Sequence, residues 1–219
     1  MSQGTLYVWN GAPRSEILRD IVNYLQLDIQ VKYFKDSPEF ESLFPLKRLP
    51  SFLTPENDKL HEVVVLIPYL LNLHPRGIPL LGSTDREKLF VSMYISFLNS
   101  DFSMSIGGFV FPSLGEDPFY EHAVIKCQKN FDIQIDYIDS LLKSSKYLTN
   151  NSYPNIADFY CLRFIHLASL FLYNQDCADK YPRLAKWVDD VANNFDFTHC
   201  LKGLKACLGP VIINDPTLK

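Results

Sequence analysis

Residues 74–84, HPRGIPLLGST, split the chain into two stretches with different periodicities. Proline and glycine at this density interrupt helical and strand patterns alike. Ahead of the break, strand and helix signals alternate. TLYVW (5–9) is β-branched and aromatic and stops at Asn10-Gly11, a turn signal. From Ser15 the period changes: Ile17, Leu18, Ile21, Val22 and Leu25 recur at helical spacing. DIQVKYF (28–34) alternates apolar and polar, as a strand with one covered face does. DSPEFESLF predicts a short helix, and RLPSFLT with KLHEVVVL a strand pair turning at Pro55-Glu56-Asn57-Asp58. A helix is expected from Val63. This order describes a small mixed sheet with helices on its faces. The right-handed crossover rule makes its first two strands parallel neighbours.

Beyond the break almost every signal is helical. A long helix is expected over 85–106, ended by FVFPSLG (109–115), and a second over 118–146. Its apolar stripe is Val124, Cys127, Phe131, Ile135, Ile138 and Leu141-Leu142. Residues 156–173 are apolar nearly all round, which predicts a helix buried on every side. A shorter helix begins at Pro182, a favoured first-turn residue. The fold class is therefore α/β followed by all-α: a domain over 1–76, a linker over 77–84 and a helical domain over 85–219.

Composition removes several function classes. The formal net charge is −4 with 21% charged residues, which gives no basic footprint for nucleic acid. No apolar run reaches the ~18 residues of a membrane span. The start, MSQGTLYVWN, lacks the basic and apolar regions of a secretory signal. The five cysteines, at 127, 161, 177, 200 and 207, show no C-x-x-C spacing and read as reduced thiols of a cytosolic protein. The histidines are scattered, so no zinc site is expected. The sequon Asn150-Asn151-Ser152 is expected to be idle.

Two local signals remain. Pro50, within RLPSF, opens a strand without being able to donate a ladder hydrogen bond, so sheet pairing alone does not explain it. Asn155-Ile156-Ala157-Asp158 has the form of a reciprocal helix cap. Asn155 is expected to accept from the Asp158 amide, and the Asp158 carboxylate to accept from the Asn155 amide. That structural role competes with a role for Asp158 as a catalytic acid.

The strand-helix-strand start, the proline-opened strand, Glu62 twelve residues later, the helical second half and the Asn-x-x-Asp cap together resemble a glutathione transferase over essentially the whole chain. In more detail the chain resembles the N-terminal region of the fungal elongation factor 1 gamma subunit. The residues are MSQGTLY (1–7), FPLK (44–47), SFLNSD (96–101), FVFPSLG (109–115) and YPRL (181–184) through Trp187. The resemblance implies a thioredoxin-like N-terminal domain followed by a helical transferase domain. It also implies a cis bond before Pro50, with the Leu49 main chain pairing with glutathione. Glu62 matches the first member of the family's Glu-Ser pair, which holds the γ-glutamyl carboxylate at a helix N-terminus. Val63 stands where the serine would be.

The activating position also departs. Gly11 occupies the place of the family's serine or cysteine, which lowers the thiol pKa of bound glutathione; the thiolate is the nucleophile. Tyr7 and Ser15 are the remaining catalytic candidates, Tyr7 otherwise being an ordinary strand residue. Arg14 and Lys47 are candidate ligand contacts, or else solvated surface cations, as is Arg48. Tyr94, Phe97, Phe102, Phe109, Phe111 and Phe164 line either an electrophile pocket or the core. Two functions follow from the resemblance. One is a binding and assembly module of the elongation factor 1 complex with a degenerate glutathione site; the other is a glutathione transferase acting on small electrophiles. The chain stops at Lys219, without the second domain of a full gamma subunit. No cofactor is required, glutathione being ligand or substrate. A homodimer in the cytosol is expected.

Overall fold

A computed structural model describes residues 2–149, 152–195, 197 and 201–206. Asn150 and Asn151 of the sequon, Cys200 and Cys207 lie outside the described residues. The chain forms two compact units that divide between Ile95 and Ser96.

The first unit begins with β1 (Gly4–Val8), α1 (Pro13–Leu25) and β2 (Ile29–Tyr33). A 3₁₀ turn (Phe34–Asp36) and the single helical turn α2 (Phe40–Leu43) lead to β3 (Ser51–Leu53) and β4 (Lys59–His61). Then come α3 (Val63–Asn72), a 3₁₀ turn (Ile78–Leu81) inside the proline-rich stretch, and α4 (Asp85–Phe97), whose end passes the division. The sheet order is β2-β1-β3-β4, with β1 and β2 parallel and the other pairs antiparallel. This is the four-stranded mixed sheet that the sequence predicts.

Alternation along β1 gives the sheet two working faces. Leu6 pairs with Phe52, and Phe52 packs on Tyr69 of α3 at 5.5 Å between ring centroids. That face is therefore the one covered by α3, which packs in turn on α1. Leu6, Ile17, Leu18, Ile21, Phe52, Leu66, Ile67 and Leu70 are wholly buried. Tyr7 points to the opposite face, where Phe40 and Phe44 meet its ring at 5.5 and 5.6 Å. The loop between β3 and β4 turns with Asn57 at φ 68, a conformation asparagine tolerates well.

The second unit contains a π-helical turn (Leu98–Phe102), α5 (Ser103–Leu114), α6 (Glu121–Leu141), α7 (Ile156–Ala168), α8 (Gln175–Lys180) and α9 (Pro182–Asn194). The expectation that FVFPSLG ends the first long helix is corrected in detail. Helix continues to Leu114, with Pro112 in its last turn, and Gly115 closes it in the left-handed conformation at φ 78. Proline near a C-terminus forfeits a single helical bond. The helix α8 is absent from the sequence reading, because six residues with no apolar stripe carry no periodic signal. The helix expected over 156–173 and buried on every side ends at Ala168: residues Ile156 to Ile165 are all buried, but His166 and Leu170 are exposed.

The start of α7 is fixed by Asp158. Its carboxylate accepts from the amides of Leu148 and Asn155 and from Trp187 Nε1, each at 3.0 Å. The reciprocal capping box is present. Asn155 Oδ1 accepts from the Ala157 amide at 3.0 Å, and the Asp158 amide donates to the Asn155 carbonyl, also at 3.0 Å. One buried carboxylate thus ties Leu148, Asn155 and α9 to the central helix. Of the aromatic candidates in this unit, Phe102, Phe109 and Phe164 are buried core, while Phe97 and Phe111 are half-buried; Phe102 stacks on Phe131 at 5.9 Å and meets Phe164 at 6.0 Å.

Candidate functional site

At the β3–α3 corner the ladder ends with Ser51 opposite His61. Pro50 immediately precedes Ser51 and Glu62 immediately follows His61, so the two residues singled out by the sequence flank the last pair of this ladder. The Leu49–Pro50 bond is cis. Pro50 is buried and Leu49 half-buried. Among the described residues, no hydrogen bond involves the Leu49 N–H or carbonyl.

Glu62 is the N-cap of α3 and adopts φ 71, ψ 112, outside both the right-handed and left-handed helical wells. Such a conformation costs a non-glycine residue about 1–3 kcal/mol and concentrates at functional sites. Nothing in the sequence announces it. The Glu62 carbonyl accepts the amides of Val65 and Leu66, and its carboxylate meets His61 Nδ1 at 3.2 Å. The N–H groups of Val63 and Val64 find no acceptor among the described residues. They stand at the positive end of a ten-residue helix, an arrangement suited to a carboxylate. The Val63 side chain is 2% exposed and belongs to the core.

The β1–α1 corner is built differently. Gly11 lies at φ 82, its amide donating to Glu16 Oε1 at 3.0 Å, and a β-carbon added there would meet nothing within 4 Å. The position has room for a side chain but no reacting group. Ser15 is buried, and its hydroxyl accepts the Trp9 amide at 3.0 Å, stitching the end of β1 to the first turn of α1. Arg14 is half-buried in the same turn.

Tyr7 is 2% exposed, and its hydroxyl donates to Glu39 Oε1 at 3.0 Å. Lys32 Nζ reaches the same oxygen at 2.8 Å. Burial, then the hydrogen bond to Glu39, then that carboxylate's charge push the Tyr7 phenol up to about 12. Lys32 and neighbouring donors hold Glu39 below its usual range. A tyrosine that activates a thiol must donate to the thiolate; this one donates to a carboxylate and keeps its proton more tightly than usual. Glu39, missed in the sequence, carries no local motif and is reached only through folding.

Lys47 sits at φ 49, is exposed and pairs with Glu41 at 2.7 Å. It lies two residues before Leu49, at the rim of the same corner. Among the described residues, no group of three or more histidine, cysteine or acidic side chains is disposed to hold a metal ion. No helix among them is long and apolar enough to cross a membrane. Cys127, Cys161 and Cys177 are free thiols, and burial raises the pKa of each.

No protein-family model matches the chain. The crystal structure of the GST-like domain of elongation factor 1-gamma from Saccharomyces cerevisiae superposes with a TM-score of 0.83 at 27% identity, covering 96% of this chain and 98% of that one. The chain has a glutathione transferase-like fold. Its homologues include both glutathione transferases and elongation factor 1-gamma. Glutathione S-transferase Y-2 of Pichia kudriavzevii is 28% identical over 196 residues, 89% of this chain and 97% of the relative. Elongation factor 1-gamma 2 of S. cerevisiae is 29% identical over 195 residues, of which the chain spans 47% of the factor's length. Ure2p in complex with glutathione shares the transferase-like fold at a TM-score of 0.77 and 14% identity.

Proposed function

We propose that this transferase-fold chain binds glutathione at the β3–α3 corner without activating its thiol, and serves as a binding and assembly module of the cytosolic translation elongation machinery. In this reading the Leu49 main chain pairs with the cysteinyl residue beside Pro50. The amides of Val63 and Val64, with Glu62, hold the γ-glutamyl end, and Arg14 and Lys47 border the cleft. Val63 cannot supply the serine hydroxyl; one hydrogen bond to a charged group is worth roughly 1.5–3 kcal/mol. That weakens binding by about ten- to a hundred-fold without abolishing it.

The observation that carries the non-catalytic half is the bond from the Tyr7 hydroxyl to Glu39. With Gly11 lacking a side chain and the Ser15 hydroxyl engaged by Trp9, no candidate hydroxyl in this unit is set to stabilise a thiolate. The elongation-factor side rests on similarity to elongation factor 1-gamma 2 and to the GST-like domain. A homodimer fits the apolar side chains left exposed: Val64, Val65, Leu89 and Met93 in the first unit and Met104 in the second. Monomeric mass in sedimentation at micromolar concentration contradicts the dimer.

One observation favours a second reading, an active glutathione transferase. The chain is 28% identical to glutathione S-transferase Y-2 of P. kudriavzevii over 196 residues. Retention of the pure protein on immobilised glutathione, assayed beside its turnover of 1-chloro-2,4-dinitrobenzene, separates the two. Retention with turnover no faster than the uncatalysed reaction supports the binding module. Robust conjugation lost in Ser15→Ala overturns it. Co-purification with the nucleotide-exchange subunit of the elongation factor is expected, and its absence counts against the assembly role.

A further inference from the structure

The segment between β2 and β3 is held to the sheet in an unusual way. Its hydrogen bonds are almost all internal: Phe40 to Ser37, Leu43 to Glu39, Phe44 to Phe40 and Lys47 to Phe44 along the backbone, and Lys47 to Glu41 between side chains. Ser37 adds a bond back to the carbonyl of Tyr33 at the end of β2. Among the described residues, Glu39 is the one side chain of 34–47 that hydrogen-bonds side chains of the sheet, namely Tyr7 of β1 and Lys32 of β2. Those two are register partners, so a single carboxylate bridges adjacent strands. Around it the Tyr7, Phe40 and Phe44 rings form a core of their own, against which Phe34, Leu43 and Leu49 pack.

We propose that Glu39 is a positioning residue for the ligand site: by clamping the 34–47 segment to Tyr7 and Lys32 it sets Lys47 and Leu49 at the β3–α3 corner. The aromatic cluster supplies adhesion, but apolar contact is non-directional and allows the segment to slide. The shared carboxylate oxygen adds direction, because a hydrogen bond weakens steeply off its axis. Leu49 couples the two, since its side chain packs on the aromatic cluster while its main chain enters the corner. Tyr7 on this reading governs where the ligand sits and leaves the ligand's chemistry unchanged. The ligand side of the inference rests on the reading that the corner binds glutathione.

The test combines amide hydrogen exchange with glutathione titration calorimetry on the full chain, in Glu39→Ala, Glu39→Gln, Tyr7→Phe and the double variant Tyr7→Phe/Glu39→Ala. Glu39→Ala is expected to speed exchange at Phe40, Leu43, Phe44 and Lys47 and to weaken glutathione binding about 5–10-fold, the half-exposed setting discounting a charged hydrogen bond. Glu39→Gln keeps an acceptor for Tyr7 and is expected to recover much of both. Tyr7→Phe keeps the ring, loses the clamp, and is expected to be non-additive with Glu39→Ala, as members of one network are. Unchanged exchange in Glu39→Ala overturns the clamp whatever the ligand does. Faster exchange with unchanged affinity overturns the positioning role. If the wild-type protein binds no glutathione, the ligand reading falls, and exchange alone decides whether Glu39 holds the segment.

Discussion

Glu39 and Asp158 are both carboxylates that gather hydrogen bonds from distant parts of the chain, yet they do different things because their surroundings differ. Asp158 is completely buried and receives neutral N–H donors from Leu148, Asn155 and Trp187. Glu39 is about one-third exposed and holds a lysine and a phenol. Burial dominates the first, raising its pKa to about 6 despite those donors. The cation dominates the second, lowering it. A carboxylate satisfied by backbone amides under a core helix serves the fold. One shared between a half-exposed lysine and a buried tyrosine determines what that tyrosine is free to do.

The contrast breaks most visibly at the two ends of the helix caps. Val64→Pro removes one amide from the N-terminus of α3 at a first-turn position that tolerates proline. It is expected to weaken glutathione binding about ten- to a hundred-fold by calorimetry, the worth of a charge-assisted hydrogen bond. Unchanged affinity removes the helix end from the site. Next comes Asp158→Asn, which leaves at least one of three buried donors without an acceptor. A loss of about 2–3 kcal/mol by urea unfolding at pH 7 is expected.

The pH dependence of that loss carries the sign of the titration. With a folded pKa near 6 and an ordinary value of 3.8, native Asp158 binds protons that the unfolded chain does not. Its contribution therefore improves as pH falls from above 6 toward 4, by up to about 3 kcal/mol. The deficit of Asp158→Asn is expected to be larger at pH 4.5 than at pH 7; a shrinking deficit means that the amide bonds outweigh burial. Glu39 has the opposite sign, its support being lost as pH drops through its lowered folded value. Smaller again is Gly11→Ser. Open space around the β-carbon and φ 82 together leave only backbone strain, about 1 kcal/mol by thermal unfolding. A much larger loss implies a hidden contact at the β1–α1 corner.

What the sequence revealed follows the reach of each interaction. The alternation of strand and helix, the proline ahead of β3 and the Asn155–Asp158 cap are set within a few residues, and each is legible. The helix α8 was too short and too polar to register. The Glu39 clamp joins Tyr7 to a residue 32 positions away through strand register, and no local pattern records that. The φ of Glu62 belongs to the same class: side chains tolerate it only because the ladder and α3 hold both sides. Tyr7 shows the difference most clearly, since the sequence left it between catalytic hydroxyl and strand residue, and its partner became visible only in the folded chain.

The most direct measurement is the thiol pKa of glutathione bound to the wild-type protein, followed by thiolate absorbance across pH. A value close to that of the free thiol, about 8.5, is expected, with Tyr7→Phe leaving it unmoved. A bound thiol shifted down by two or more units, and restored toward the free value by Tyr7→Phe or Ser15→Ala, contradicts a site that binds without activating.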